Sequence, residues 1–449
     1  MTDVRRGMPS RQAAFFVPNI GFGAVSTRLA CADRWFQRLR PLAWALCALS
    51  LGGEVARAQG TSDAGGLTPD QRAIVDQIAK PAGAESPRYA GTASDVIGTE
   101  VSLPLGNGQF VTLVRTGSVL QKDGSVVWHG EVPQTGERAM LMLWSNALLT
   151  GYFAFNGKIF TVESLGGGVN AFAELDRRRL PADHPEPAGR TDGVPGPGAK
   201  VKDRAAARPA PPEPAVAPFS AAARQALEAK RIVIDVMILY TANVAKRYLR
   251  EPSDLLALAI EEANETFKNS GIGNVSLRLA HTQLIEYDET EDDQFTHLYT
   301  MVDGIGPFNA VRKLRDEKRA DIVGLIIDNP TGCGLSTRIG PTSDEAFFVV
   351  HHACAATTMS IAHEIGHILG ARHDRFVDDN DSPAPYGHGY INGSKWRDIM
   401  SYNAGCGSCP RIPYWSNPRV QYKGEATGTP AADNARLILE LAERVSQFR

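Results

Sequence analysis

Ile361-Ala362-His363-Glu364-Ile365-Gly366-His367-Ile368-Leu369-Gly370-Ala371-Arg372-His373-Asp374 is the most informative stretch of this 449-residue chain. Read as a helix, it stacks Ile361, Ile365 and Ile368 on one face at offsets of four and seven, the spacing of an apolar stripe. His363 then lies about 200° round from Ile361, so the histidines are expected to face away from the core. His363 and His367, four residues apart, carry β-carbons about 5–6 Å from each other, which lets two imidazoles converge on one ion. A catalytic zinc takes three protein ligands of this kind and keeps one position for water. Glu364 directly follows a ligand, so its carboxylate can reach that water as a general base and pass the proton to a leaving group. Gly370 suits a helix end, where a left-handed backbone turns the chain and brings His373 back as the third ligand.

Outward from the motif the pattern is α/β. Ile232 to Tyr240 reads as a buried strand, Ser253 to Lys268 as a helix and Phe308 to Lys318 as a charged helix. Asp321 to Ile327 and Ala346 to Val350 read as further strands. Thr357 or Thr358 offers an N-cap for the motif helix, and Asp433 to Phe448 a terminal helix. Strands alternating with helices predict an α/β sandwich over residues 231–449. Residues 59–180 read as a small β-rich domain, with short apolar runs at Phe110 to Val114, Val126 to Trp128 and Ala139 to Trp144. Asp123-Gly124 and Asn156-Gly157 are the dipeptides of tight hairpins. The domain has no cysteine and no ligand cluster, hence no chemistry of its own. Residues 181–230 form a connector; between Pro181 and Phe219 its Pro, Ala and Gly content cannot bury a core. A cleavable pro-segment looks like this, and so does a permanent linker.

The length asks for more than one domain, and 43 % hydrophobic with 22 % charged residues is a globular composition. A net charge of -3 lacks the basic surplus of a nucleic-acid binder, so no nucleic-acid partner is expected. Residues 1–58 read as a long leader with a signal peptide: Arg34, Arg38 and Arg40 precede an apolar run from Pro41 to Gly53, then Ala56-Arg57-Ala58. That run is about two-thirds of a bilayer-spanning helix, so a secreted chain with no stable membrane anchor is expected. Loss of the leader removes Cys31 and Cys47 and leaves Cys333, Cys354, Cys406 and Cys409. Of three possible pairings, Cys333 with Cys354 and Cys406 with Cys409 are favoured because each closes a local loop. The competing reading of Cys406-x-x-Cys409, half of a second zinc site or a redox motif, finds no second pair at zinc-ribbon spacing.

The extended motif HExxHxxGxxH resembles the signature of the metzincin metalloproteases, and Asp398-Ile399-Met400-Ser401-Tyr402 resembles their methionine turn. The resemblance implies a metzincin-like mixed sheet packed with helices, with Met400 as an apolar floor beneath the histidines. Asp374 after the third histidine looks like the reprolysin, or adamalysin-like, branch. The stretch from Cys333 through Cys354, and the tail Tyr414-Trp415-Ser416-Asn417-Pro418, look like the bacterial peptidyl-Asp metalloendopeptidases. Strong resemblance runs from about Ile232 to the C-terminus; the β-rich front is only loosely similar to pro-regions of such enzymes. What it implies is a secreted zinc-dependent endopeptidase acting on protein or peptide substrates, made as a proenzyme whose pro-domain inhibits it intramolecularly.

Two features depart from the reprolysin pattern. Tyr402 stands two after Met400, as in astacins and serralysins, and reads equally as an oxyanion donor or a packed tyrosine. The pro-region has no cysteine to block the metal; Asp183 or His184 can do so, although linker composition favours exposed residues there. If the peptidyl-Asp resemblance extends to specificity, the pocket after the scissile bond needs a cation, and Arg411 is the nearest candidate. Its ordinary alternative, and the favoured one, is a solvated loop arginine. The competing function is a secreted, zinc-stabilised binding or adhesion module, against which Glu364 stands because a structural site needs no base. His351-His352 and His388 read as packing or loop residues. Asp378-Asp379-Asn380-Asp381 lacks the spacing of a calcium loop, so calcium has no support beyond acidity.

Overall fold

The computed structural model describes residues 13–17, 67–72, 98–106, 108–121, 124–143, 149–166, 169–175, 180–184, 220–248, 252–289 and 293–449. The signal-like run, Asp123, Trp144 and residues 185–219 of the connector lie outside the described residues. The chain is mixed α/β.

The N-terminal half is an antiparallel meander of β2 (Glu100–Gly106), β3 (Gln109–Leu120), β4 (Val126–Glu131), β5 (Arg138–Leu143), β6 (Leu149–Phe155), β7 (Lys158–Gly166) and β8 (Val169–Leu175). A further strand, β1 (Ala13–Val17), pairs antiparallel with β8, which the leader reading did not foresee. Asn156 (φ 51°) and Gly157 (φ 74°) turn β6 into β7, the left-handed pair that a two-residue hairpin requires. An antiparallel strand with one wet face alternates apolar and polar residues, yet β5 is buried almost throughout. The reason is two-sided burial. Ala139, Leu141 and Leu143 join Trp128 in the sheet's own core, whereas Met140, Met142 and Val127 enter the large core of the C-terminal half.

In the C-terminal half, β9 (Ile232–Thr241), β10 (Val275–Ile285), β11 (Ile322–Ile327), β12 (Gly334–Ser336) and β13 (Phe347–His351) form a sheet in the order β10-β9-β11-β13-β12. All neighbours are parallel except the edge strand β12, which runs antiparallel to β13. β11 sends Ile322 and Ile326 to one face and Val323, Leu325 and Ile327 to the other, so its unbroken apolar run serves two layers. The support helix Ser253–Asn269, the motif helix Ser360–Ile368 and the terminal helix Asn434–Val445 share the first face, and helix Gln294–Val302 the second. The sequence placed one helix over Phe308 to Lys318. The chain instead makes a 3-10 turn, Gly306–Ala310, before helix Val311–Lys318, with Pro307 in the first turn.

The N-cap expectation fails. The motif helix is capped by Met359 in the left-handed region (φ 61°) without a side-chain cap. Both threonine hydroxyls bond backward instead, Thr357 to Ala353 O at 3.1 Å and Thr358 to Cys354 O at 2.8 Å. They are spent on the turn that precedes the helix.

The two halves meet at the support helix. Arg138 and the Tyr152 hydroxyl of the front sheet both reach the Glu262 carboxylate, and His129 Nδ1 lies 3.1 Å from Glu265 Oε2. Burial outweighs the guanidinium and holds Glu262 up to about 7, so its folded-state pKa stands above its unfolded one. The stability this group contributes is therefore full at low pH and lost as pH rises toward 7. Arg138 matters most once Glu262 is ionised; below that it keeps only the Tyr152 hydroxyl and the Glu265 carboxylate, 3.9 Å away. Arg138→Met is expected to cost about 3 kcal/mol at pH 8, by stranding a buried carboxylate, and much less at pH 5. Urea unfolding midpoints at the two pH values check this.

Candidate active site

Two backbone carbonyls set the chemistry of the motif helix. His363 Nδ1 lies 2.9 Å from Ile399 O and His367 Nδ1 lies 2.8 Å from Ala371 O. A carbonyl has no hydrogen to give, so each Nδ1 carries the proton and each Nε2 presents a lone pair. Those lone pairs converge. His363 Nε2 and His367 Nε2 lie 3.2 and 3.0 Å from His373 Nε2, and His184 Nε2 lies 3.0 Å from His363 Nε2. One proton on His373 can satisfy only one of its neighbours; a cation among the rings satisfies all of them, and neutral imidazoles are its natural donors. Burial keeps them neutral, pushing His367 down to about 4, His184 down to about 3, and His363 and His373 well below the usual range. The donor set therefore fits zinc.

The sequence expected these histidines to face away from the core. They do leave the isoleucine stripe, yet His363 and His367 are buried, because residues 180–184 lie across them. The attachment is specific: the Cys333 N–H, just before β12, donates to Ala182 O at 2.7 Å. Asp183 and His184 are thus not exposed linker residues. Composition could not show this, because they stand at the first turn of the connector.

Glu364 is buried, with Oε1 3.5 Å from His184 Nε2, and burial raises its carboxyl well above the usual range. Gly334 of β12 leaves room for it; a Cβ there would sit 2.5 Å from Glu364 Oε1. Gly366 makes similar room beneath the helix, where a Cβ would meet the Trp415 ring at 2.6 Å and Met400 Sδ at 3.0 Å. Gly370 combines φ 91° with close approach to Leu441 of the terminal helix.

Buried acids tie the third histidine and the following turn to the frame. Asp374 Oδ2 accepts from the Tyr402 N–H at 2.9 Å. Asp398 accepts from Ser401 Oγ at 2.5 Å and from the Ser416 N–H at 3.0 Å, and burial pushes its pKa up to about 7. His388, read as a loop residue, is buried with Nδ1 2.9 Å from His373 O. The Tyr402 ring lies 4.4 Å from that of His373, centroid to centroid.

Arg411 is not the solvated loop residue that the sequence favoured. It is nearly buried, donates to Thr358 O at 2.8 Å and approaches Asp183 Oδ2 at 3.0 Å. Disulfides join Cys333 to Cys354, beside β12, and Cys406 to Cys409, just before Arg411. Asp328, His351 and His352 form a second cluster that the sequence did not single out, but the Arg247 guanidinium already pairs with Asp328 at 2.6 Å. A cleft of about 1370 Å³ lined by both halves includes His184, Tyr402 and Arg411.

Residues 230–416 match the profile of metallo-peptidase family M12. The chain is 30 % identical over 358 residues to the peptidyl-Asp metalloendopeptidase of Xanthomonas campestris pv. campestris, covering 76 % of this chain and 80 % of that protein. It is 31 % identical over 363 residues to a protein of the same name from Stenotrophomonas maltophilia, covering 76 % and 81 %. Among solved structures, metalloproteinase-II from Bacteroides fragilis aligns at 14 % identity with a TM-score of 0.37 over 72 % of this chain and 89 % of that one.

Gly366→Ala is expected to destabilise the fold by about 2 kcal/mol, because the new methyl overlaps the Trp415 ring, which is held by its stack on Phe267 and its bond to Thr266 Oγ1. Thermal unfolding against Ile365→Val, a change in the same helix that creates no clash, measures it.

Proposed function

The chain belongs to metallo-peptidase family M12 and is a zinc metalloendopeptidase, and from that premise we propose that His363, His367 and His373 hold the zinc and Glu364 is the general base. The observation that carries the assignment is the pair of carbonyl-pinned imidazoles, whose lone pairs face a common point. Zinc, when bound, acts as a Lewis acid and makes water a nucleophile near neutral pH.

Glu364 takes the proton of the attacking water and returns it to the departing amine, so one buried carboxylate serves both halves of the hydrolysis. Tyr402, beside His373, donates its phenol to the charge developing on the substrate carbonyl oxygen. Substrates are proteins or peptides. The name of the relatives speaks of aspartate, and the nearly buried Arg411 supports a preference for an acidic residue after the scissile bond.

The leader supports export, and the residues at the mouth of the site support a proenzyme. His184 stands 3.0 Å from His363 Nε2 and 3.5 Å from Glu364 Oε1, where the attacking water must stand. The front half is thus an intramolecular inhibitor, and removal of residues 181–230 or their displacement activates the enzyme. A set of four imidazoles would also suit a purely structural zinc, which is the case for a binding module; Glu364 beside the set separates the two readings.

Full-length protein, wild type and His184→Ala, each with and without Glu364→Ala, is to be incubated with a peptide mixture with and without a zinc chelator. His184→Ala is expected to cut peptides faster than wild type, and Glu364→Ala to lower cutting by about 10²–10⁴-fold. Cleavage that survives both the chelator and Glu364→Ala would overturn the assignment.

A further inference from the structure

Resting on the acidic preference proposed above, we propose that Arg397 and Arg411 form one pocket for a substrate carboxylate, and that Asp183 fills this pocket in the full-length chain. Asp183 Oδ2 lies 3.0 Å from Arg411 Nη2 and 3.4 Å from Arg397 Nη1. Both guanidinium groups are nearly buried, and a buried cation is tolerated only where an anion and hydrogen-bond acceptors meet it.

The pocket is built by the chain and not by its occupant. Arg397 and Arg411 are partners in a parallel β-bridge, flanked by Arg397 N–H to Pro410 O at 3.0 Å and Ile412 N–H to Arg397 O at 2.8 Å. Their side chains therefore leave the backbone next to one another. Each is aimed by a carbonyl, Arg411 by Thr358 O and Arg397 by Ser401 O. Thr358 precedes the motif helix and Ser401 follows Met400, so the pocket hangs on the same two segments that set the histidines. The Cys406–Cys409 disulfide closes the loop just before Arg411 and restricts its swing. Two cations bonded to carbonyls, with one carboxylate between them, are what a carboxylate-binding site needs.

Asp183 meets this pocket as a substrate side chain would, and His184 then reaches the histidine cluster. A substrate whose acidic residue follows the scissile bond must send the chain preceding that residue toward the cluster. Here it is the side chain of His184, the residue after Asp183, that reaches the cluster, while the carbonyl of the Ala182–Asp183 bond accepts from the Cys333 N–H at 2.7 Å, so the bond before the acidic residue is turned to β12 and not presented for cleavage. Latency and specificity thus share one pair of arginines.

The test uses the full-length chain. Asp183→Asn, isosteric but uncharged, is expected to raise peptide hydrolysis on the order of 30-fold and to speed deuterium exchange of the Cys333 amide, while cuts stay beside acidic residues. In a His184→Ala background, Arg397→Gln and Arg411→Gln are each expected to lower the ratio of kcat/KM for an Asp peptide over its Asn counterpart about tenfold. That ratio does not depend on how much of a variant folds. An Asp183→Asn chain with wild-type latency and an unchanged Cys333 exchange rate would overturn the proposal, as would an Arg397→Gln enzyme with the wild-type ratio. Inactive His184→Ala alone would instead count against the blocking role of His184, since the exchange readout on Asp183 is independent of it.

Discussion

Two carbonyl oxygens, Ile399 O and Ala371 O, fix which nitrogen of His363 and of His367 holds the proton, and the rest of the active half serves to hold those oxygens still. Ile399 belongs to the turn that Asp398 pins through Ser401 and Ser416. Ala371 follows Gly370, whose left-handed backbone reverses the chain under the terminal helix. Asp374 then ties the strand bearing His373 back to Tyr402. Each tie is a hydrogen bond worth about 1 kcal/mol. Together they keep the imidazoles of His363 and His367 turned toward the ring of His373.

The second constraint is burial. Strands β4 to β8 of the N-terminal meander bury side chains on both faces, one in the sheet's own core and one in the core of the C-terminal half, whereas β3 leaves its outer face exposed. Met140 and Met142 of β5 belong to the core of the C-terminal half, and Arg138 reaches the support helix that also stacks Phe267 on Trp415. From that shared core, residues 180–184 run into the cleft. On the proposed reading, inhibition in cis needs little additional energy, because the segment bearing Asp183 and His184 is already delivered to the site by a sheet that is docked for other reasons.

Much of this was legible in the sequence. Strands such as Ile232–Thr241 and Ile322–Ile327, and the helix Ser253–Asn269, follow from apolar periodicity within a residue or two. The motif histidines could be grouped because a helix fixes the geometry between residues four apart. Tertiary partners were not legible. Nothing local distinguishes Asp183 and His184 from the connector that follows, or Arg411 from a solvent-facing arginine, because their burial comes from segments far away in the chain. The continuous apolar run of β5 carries a signal of two-sided burial, since a strand with one wet face would alternate. The helix cap failed for a different reason: a threonine hydroxyl has several acceptors within reach, and the preceding turn won.

X-ray absorption at the zinc edge tests the convergence of the imidazoles most directly. One equivalent of zinc in the full-length chain is expected to show four nitrogen neighbours, with one replaced by oxygen in His184→Ala and a further one lost in His373→Ala. Sulfur in the coordination shell, or a spectrum indifferent to His373→Ala, would contradict the account.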